Sequence, residues 1–218
     1  MNKTGLIFDV DGTLWDSSYR VAESWNNVFL RHDDIKTDCN RDKIMSVMGK
    51  TMTDIADIFF PDLDDDKKLT YLKECEDYEL EYLKDNPPKP FDGVYDVVKK
   101  LSEKYPLFIL SNCQSGYIEL FMNICGISNY ITDIECFGNN HKSKSENIRL
   151  LSERNCIDNY YYIGDIQSDY NATIEAGGRF IHAAYGFGTI DAVVPKIDNI
   201  YDILSLIEEL ESARKNNE

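Results

Sequence analysis

Five short apolar runs, spaced by helical patterns, constrain this chain more than any other feature. They are Leu6-Ile7-Phe8, Leu107-Phe108-Ile109-Leu110, the weaker Ile131–Ile134, Tyr160-Tyr161-Tyr162-Ile163 and Phe180-Ile181-His182-Ala183-Ala184. Strands that are apolar without alternation are covered on both faces, which calls for a parallel sheet between helices. The stretches between them supply those helices. Val94, Val97, Val98 and Leu101 share a face, as do Ile148, Leu150 and Leu151, and then Ile200, Ile203, Leu204, Ile207 and Leu210. The alternation predicts an α/β fold built on a doubly wound parallel sheet.

One interval breaks the rhythm. Residues 17–90 carry several helical patterns and no strand pattern. Asp64-Asp65-Asp66-Lys67-Lys68 reads as a helix start, with acids at the favoured end. Asn86-Pro87-Pro88-Lys89-Pro90 stops that helix and reads as a stiff linker. Residues 1–16 and 91–218 are therefore expected to form the sheet domain. Residues 17–90 are expected to form an all-helical domain inserted after the first strand. It would hang over the carboxyl ends of the strands, where ligands bind in open α/β sheets.

Bulk properties narrow the function classes. The 218 residues are 43% hydrophobic, enough for a real core. The net charge of −16 opposes binding to nucleic acid. Any anion site must then be made locally, from metal, lysine and backbone amides. The six cysteines form no C-x-x-C pair and there are only three histidines, so no zinc site is expected. Scattered thiols without a secretion signal suggest a cytoplasmic protein. No stretch approaches the roughly 18 apolar residues that span a bilayer, so no membrane association is expected.

The strand ends carry the chemistry. The first run is followed by Asp9-Val10-Asp11-Gly12-Thr13, the second by Ser111-Asn112, and the fourth by Gly164-Asp165-Ile166-Gln167-Ser168-Asp169. Lys142 and Lys144 open the helix before the fourth strand. Alternate side chains leaving a strand point the same way, so Asp9 and Asp11 can face one volume. The amides after Gly12 are expected to close around an anion. Mg²⁺ takes oxygen ligands in near-octahedral geometry. Asp9 and Asp165 would offer carboxylates and Asp11 its carbonyl. Ser111 and Asn112 would donate to phosphoryl oxygens, and a lysine would offset charge. The Asp11 side chain is left for proton transfer.

The order D-V-D-G-T-L, S-N, lysine, G-D-x-x-x-D resembles the four motifs of the haloacid dehalogenase superfamily across nearly the whole chain. Within it, the chain is similar to phosphoglycolate phosphatase and beta-phosphoglucomutase-like proteins. The resemblance implies a Rossmann-like core, a C1 cap over residues 17–90, and Mg²⁺ as cofactor. It implies Asp9 as nucleophile, Asp11 as general acid/base, Ser111 and Asn112 as phosphate ligands, and Asp165 as metal ligand with Asp9 and Asp11. Asp169 would orient water, lysine or metal. The lysine is Lys144 in the reading S-K-x-E-N-I and Lys142 if the helix is aligned by length; Lys144 is favoured. The second aspartate of the first motif argues against carbon–halogen cleavage.

These residues point to a phosphatase acting on a small phosphorylated metabolite through an aspartyl phosphate, in a monomer or dimer. The alternatives are a sugar-phosphate mutase and, less favoured, a non-catalytic binding module. Met48-Gly49-Lys50-Thr51 is expected to be a solvated turn between two helices; the alternative is that it carries Lys50 down onto a substrate's carboxylate or hydroxyls. Trp15 and Trp25 are expected in the core of the inserted domain. Tyr185-Gly186-Phe187-Gly188, after the fifth run, is expected as a flexible loop at the same rim and is assigned no chemical role.

Overall fold

The computed structural model describes residues 4–216; the outermost ends of the expected sheet domain lie outside them. Its strands are β1 (Thr4–Phe8), β2 (Trp15–Asp16), β3 (Lys89–Pro90), β4 (Leu107–Ser111), β5 (Asp133–Cys136), β6 (Asn159–Gly164), β7 (Arg179–Ala183) and β8 (Lys196–Ile197). Its helices are α1 (Ser18–Phe29), α2 (Arg41–Val47), α3 (Met52–Phe59), α4 (Asp65–Asp85), α5 (Val94–Ser102), α6 (Tyr117–Cys125), α7 (Phe137–Asn140), α8 (Lys144–Arg154), α9 (Gln167–Glu175) and α10 (Ile203–Lys215). Six strands form one sheet in the order β5-β4-β1-β6-β7-β8. Every neighbouring pair in it is parallel.

The two faces of this sheet divide the apolar runs by parity. Leu6 and Phe8 of β1, Ile109 of β4 and Tyr161 and Ile163 of β6 share one buried cluster with Val97, Leu101 and Ile207. Their alternates Ile7, Phe108, Leu110 and Tyr162 share another with Ile148 and Leu151. That is the period-two geometry of a strand covered on both sides. The chain runs from β1 to β4 and β5 on one side, and then to β6, β7 and β8 on the other. The reversal puts the topological switch point at β1, between β4 and β6.

Residues 18–85 form four helices with a cluster of their own, including Val21, Trp25, Phe29, Ile44, Phe59 and Leu72. Helix α4 starts where its acids suggest, with the Asp64 side chain accepting from the Lys67 amide. The route in and out differs from a plain linker. Trp15↔Pro90 and Asp16↔Lys89 pair as an antiparallel ribbon at the neck. Proline is tolerated there because a two-stranded ribbon is all edge.

Two further departures have local causes. The third strand begins two residues later than its apolar run, because a 3-10 turn at Ser128–Tyr130 occupies the approach. Its Glu135 is buried but paired with Arg154 at 2.6 Å, so polarity in the strand is compensated. Trp15 packs in the sheet domain rather than in the helical insert, edge-on to Tyr117 and Phe121.

Candidate active site

Three adjacent strands end at one place. Asp9 follows β1, Ser111 closes β4, and Asp165 follows β6. Asp9 is 3% exposed and Asp165 1% exposed. Lys144 reaches them from the first position of α8. A capping box between Ser143 and Glu146 fixes that helix start. A lysine in a first helical turn opposes the helix dipole, so its charge must be met elsewhere. Its Nζ lies 2.6 Å from Asp169 Oδ1 and 3.2 Å from Asp9 Oδ1. Burial works to lower the Lys144 pKa, but Asp169 and Asp9 outweigh it and hold the ammonium charged. Lys142 is exposed. Of the two candidate lysines, Lys144 is the one brought into the site.

Asp11 is fixed from three sides. Its Oδ1 accepts from Trp15 Nε1 at 2.9 Å, from Tyr117 OH at 2.8 Å and from the Ser17 hydroxyl. Burial raises its pKa, and those three donors work against the rise. A carboxyl kept easier to protonate and held in one rotamer suits proton transfer.

The acidic cluster fits a hard divalent cation. Asp9, Asp165 and Asp169 can each bring a carboxylate oxygen within 4.8 Å of the others. If all three were ionised, one ammonium would leave two negative charges uncompensated, a surplus that a divalent cation would match. Asp165 Oδ1 is buried with no protein partner among the described residues. An orphaned buried carboxylate oxygen is costly unless something outside the chain meets it. Burial raises the Asp165 pKa well above its ordinary value, and Asp169 and Asp9 add to the rise. Burial likewise pushes Asp9 up to about 7, against the pull of Lys144.

Several contacts depart from the sequence reading. The amides after Asp11 do not stand open to an anion. Gly12 donates to the Trp15 carbonyl, and Thr13 and Leu14 to that of Val10. The turn consumes them, because the chain reverses tightly at Gly12, whose φ is +79°. Asn112 Nδ2 donates to the Gly49 carbonyl of the insert at 2.8 Å, which spends one of its two amide hydrogens. Ser111 is buried at the end of β4, at the same edge.

Residues given no role from the sequence complete the site. Phe187 N donates to Asp165 Oδ2 at 2.7 Å, and Tyr185 OH to the Thr13 carbonyl at 2.7 Å. A Cβ on Gly186 would collide with Asp165 Cβ and the Gly12 carbonyl, so this loop closes on the cluster only as glycine. Tyr162 OH bonds the Leu110 carbonyl at 2.8 Å and lies 3.4 Å from Asp9 Oδ1.

Between this edge and the insert lies a cavity of about 60 Å³, with room for roughly four waters. Asp9, Asp11, Ser111 and Asn112 line it on the sheet side. Val21, Trp25, Ile44, Val47 and Ile55 line it on the insert side, with exposed Lys50. Trp25 therefore belongs both to the insert's core and to the cavity wall. Glu79 of α4 and Gln114 of the loop after β4 also reach it, joined at 2.9 Å.

Residues 6–183 match the haloacid dehalogenase-like hydrolases. The chain belongs to that family. No curated protein sequence matches it. Solved structures share its fold. A haloacid dehalogenase-like family protein from Streptococcus pneumoniae superposes with a TM-score of 0.77 at 18% identity, over 94% of this chain and 98% of its own. A predicted phosphoglycolate phosphatase from Haemophilus somnus gives 0.78 at 18%, over 95% and 99%. A beta-phosphoglucomutase from Clostridium difficile gives 0.76 at 16%, over 97% and 100%. At these identities the likeness is one of fold. Among the described residues, no helix of this hydrolase is long and apolar enough to cross a membrane.

Proposed function

We propose that this hydrolase is a Mg²⁺-dependent phosphatase of small phosphomonoesters, with residues 17–90 acting as a cap over the site. The observation that carries the reading is the buried group Asp9, Lys144, Asp165 and Asp169, with Asp165 Oδ1 unpartnered, beside a separately held Asp11. Asp9, Asp165 and the Asp11 carbonyl would hold the ion. When bound, Mg²⁺ supplies positive charge for the phosphoryl oxygens and offsets the carboxylates.

Asp9 attacks phosphorus with the oxygen that Lys144 does not hold, forming an aspartyl phosphate as the ester P–O bond breaks. Lys144 spreads its charge between Asp9 and the phosphoryl group. Ser111 and the second amide hydrogen of Asn112 donate to phosphoryl oxygens. Asp11 gives its proton to the departing alkoxide. It then takes one from water, which attacks phosphorus and releases Asp9 and inorganic phosphate. The small cavity means that the cap opens for substrate and closes for transfer.

The test is a panel of small phosphomonoesters with Mg²⁺, scored for phosphate release. Turnover that disappears in Asp9→Asn supports the reading. Isomerisation of a sugar phosphate without free phosphate would shift it to a mutase, and turnover persisting in Asp9→Asn would remove Asp9 as nucleophile.

A further inference from the structure

Glu79 has no part in the phosphoryl chemistry above, yet it is built into the same cavity. It lies on α4 of the insert and is 4% exposed. Its Oε2 accepts from Trp25 Nε1 at 2.6 Å and its Oε1 from Gln114 Nε2 at 2.9 Å. Each oxygen keeps a further lone pair, and both donors lock the carboxyl in place. The rest of the insert's wall is mainly apolar. A buried carboxyl that serves only as structure is a costly way to join two elements. One that faces a substrate cavity has lone pairs to offer a ligand.

We propose that Glu79 sets leaving-group specificity, accepting a hydrogen bond from an uncharged hydroxyl or an ammonium on the alcohol half and disfavouring an alcohol half that ends in a carboxylate. This rests on the phosphatase reading. Discrimination follows from charge in a low-dielectric cavity once Glu79 is ionised, so the comparison is made at about pH 8.5, where a second carboxylate beside it is repelled far more than in water. Lys50, the sole cation on the insert's side of the cavity among the described residues, is exposed. Solvent screens its pull on an anionic leaving group. Gln114 extends the effect, because it fixes Glu79 from the loop that follows Ser111 and carries Asn112.

Hydroxyethyl phosphate, phosphoethanolamine and phosphoglycolate share one carbon skeleton and differ in the terminal group. Glycerol phosphate and phosphoglycerate repeat the comparison one carbon longer. In wild-type protein, kcat/KM for the hydroxyl or ammonium ester should exceed that for the carboxylate ester by at least about tenfold in one of the two series. Glu79→Gln keeps the shape, since the Gln114 amide can flip to pair with it. It should bring the ratio to within about threefold of unity. Glu79→Lys should invert the ratio. Melting curves show whether each variant is folded, and Glu79→Gln decides the matter if Glu79→Lys does not fold. A wild-type preference for the carboxylate ester, or an unchanged ratio in folded Glu79→Gln, would overturn the proposal. p-Nitrophenyl phosphate serves as a general probe of the chemistry. Its turnover with an unchanged ratio sinks only the role of Glu79, whereas no turnover of any ester by wild type sinks the phosphatase reading and this proposal with it.

Discussion

Lys144 Nζ sits closer to Asp169 Oδ1, at 2.6 Å, than to Asp9 Oδ1, at 3.2 Å. Asp169 thus acts as the anchor that stops Lys144 from collapsing onto Asp9. It is itself held by the amides of Asp165 and Ile166 at 3.2 and 3.3 Å. Lys144→Met should lower kcat by about 100-fold or more, because in the proposed mechanism it removes the charge that faces the phosphoryl group. Asp169→Asn leaves the lysine in place but loosens it, and should cost about 10–100-fold. Steady-state kinetics on both variants check this, with a smaller loss for Lys144→Met than for Asp169→Asn contradicting it.

On the proposed reading, Asp165 connects metal binding to stability. Its Oδ1 has no partner among the described residues, and burial with Asp169 and Asp9 nearby disfavours its charge unless a cation is bound. Mg²⁺ should therefore raise the melting temperature of wild type, as any ligand that binds only the folded state does. In Asp165→Asn the Mg²⁺ affinity should fall by about 100-fold, and that rise should shrink or vanish. Calorimetric titration and melting curves with and without Mg²⁺ measure both effects.

Gly186 lets the loop after β7 press against the cluster. Gly186→Ala would drive a methyl group into Asp165 and the Gly12 carbonyl. Overpacking of this kind costs about 1–3 kcal/mol. The variant should melt lower and lose most of its activity, because the displaced group is Asp165. Full activity in Gly186→Ala would show that the loop moves freely.

Glu79 gives the fold a pH dependence. Burial pushes its carboxyl from 4.5 up to about 7, and hydrogen bonds from Gln114 and Trp25 only partly oppose that. A carboxyl raised on folding contributes stability that is fully present below its unfolded value. That stability is lost as pH rises through the folded value. Wild type should lose about 3 kcal/mol relative to Glu79→Gln on going from about pH 4 to pH 8. Denaturant unfolding of both proteins across that range measures the difference, and parallel pH profiles would contradict it.

What the sequence revealed was local. The D-V-D-G-T run, the five apolar runs and the S-K-S-E helix start each carry their signal within a few residues, so the main strands and the gathering of Asp9, Asp11, Asp165 and Lys144 at one sheet edge are legible. The doubly wound sheet followed from uninterrupted apolarity, which the parity of the two buried faces explains. The missing parts depend on contacts between distant residues. Tyr117 is 106 positions from the Asp11 it holds, and Gln114 is 35 from Glu79. Tyr185 and Phe187 act through a hydroxyl and an amide that carry no motif. A two-residue strand such as β8 leaves too short a pattern to read. The amides after Gly12 look open in the sequence, but a turn tight enough to present two carboxylates also uses those amides internally.

The most direct test looks for the phosphoryl group on Asp9. An ester with a good leaving group, such as p-nitrophenyl phosphate, needs no acid in the first step. Asp11→Asn should therefore be phosphorylated on Asp9 and then hydrolyse slowly, for want of a base. Acid-quenched Asp11→Asn, digested and examined by peptide mass spectrometry during turnover with Mg²⁺, should carry phosphate on Asp9. Phosphate on another residue, or nitrophenol released with Asp9 unmodified at every time point, would contradict the mechanism.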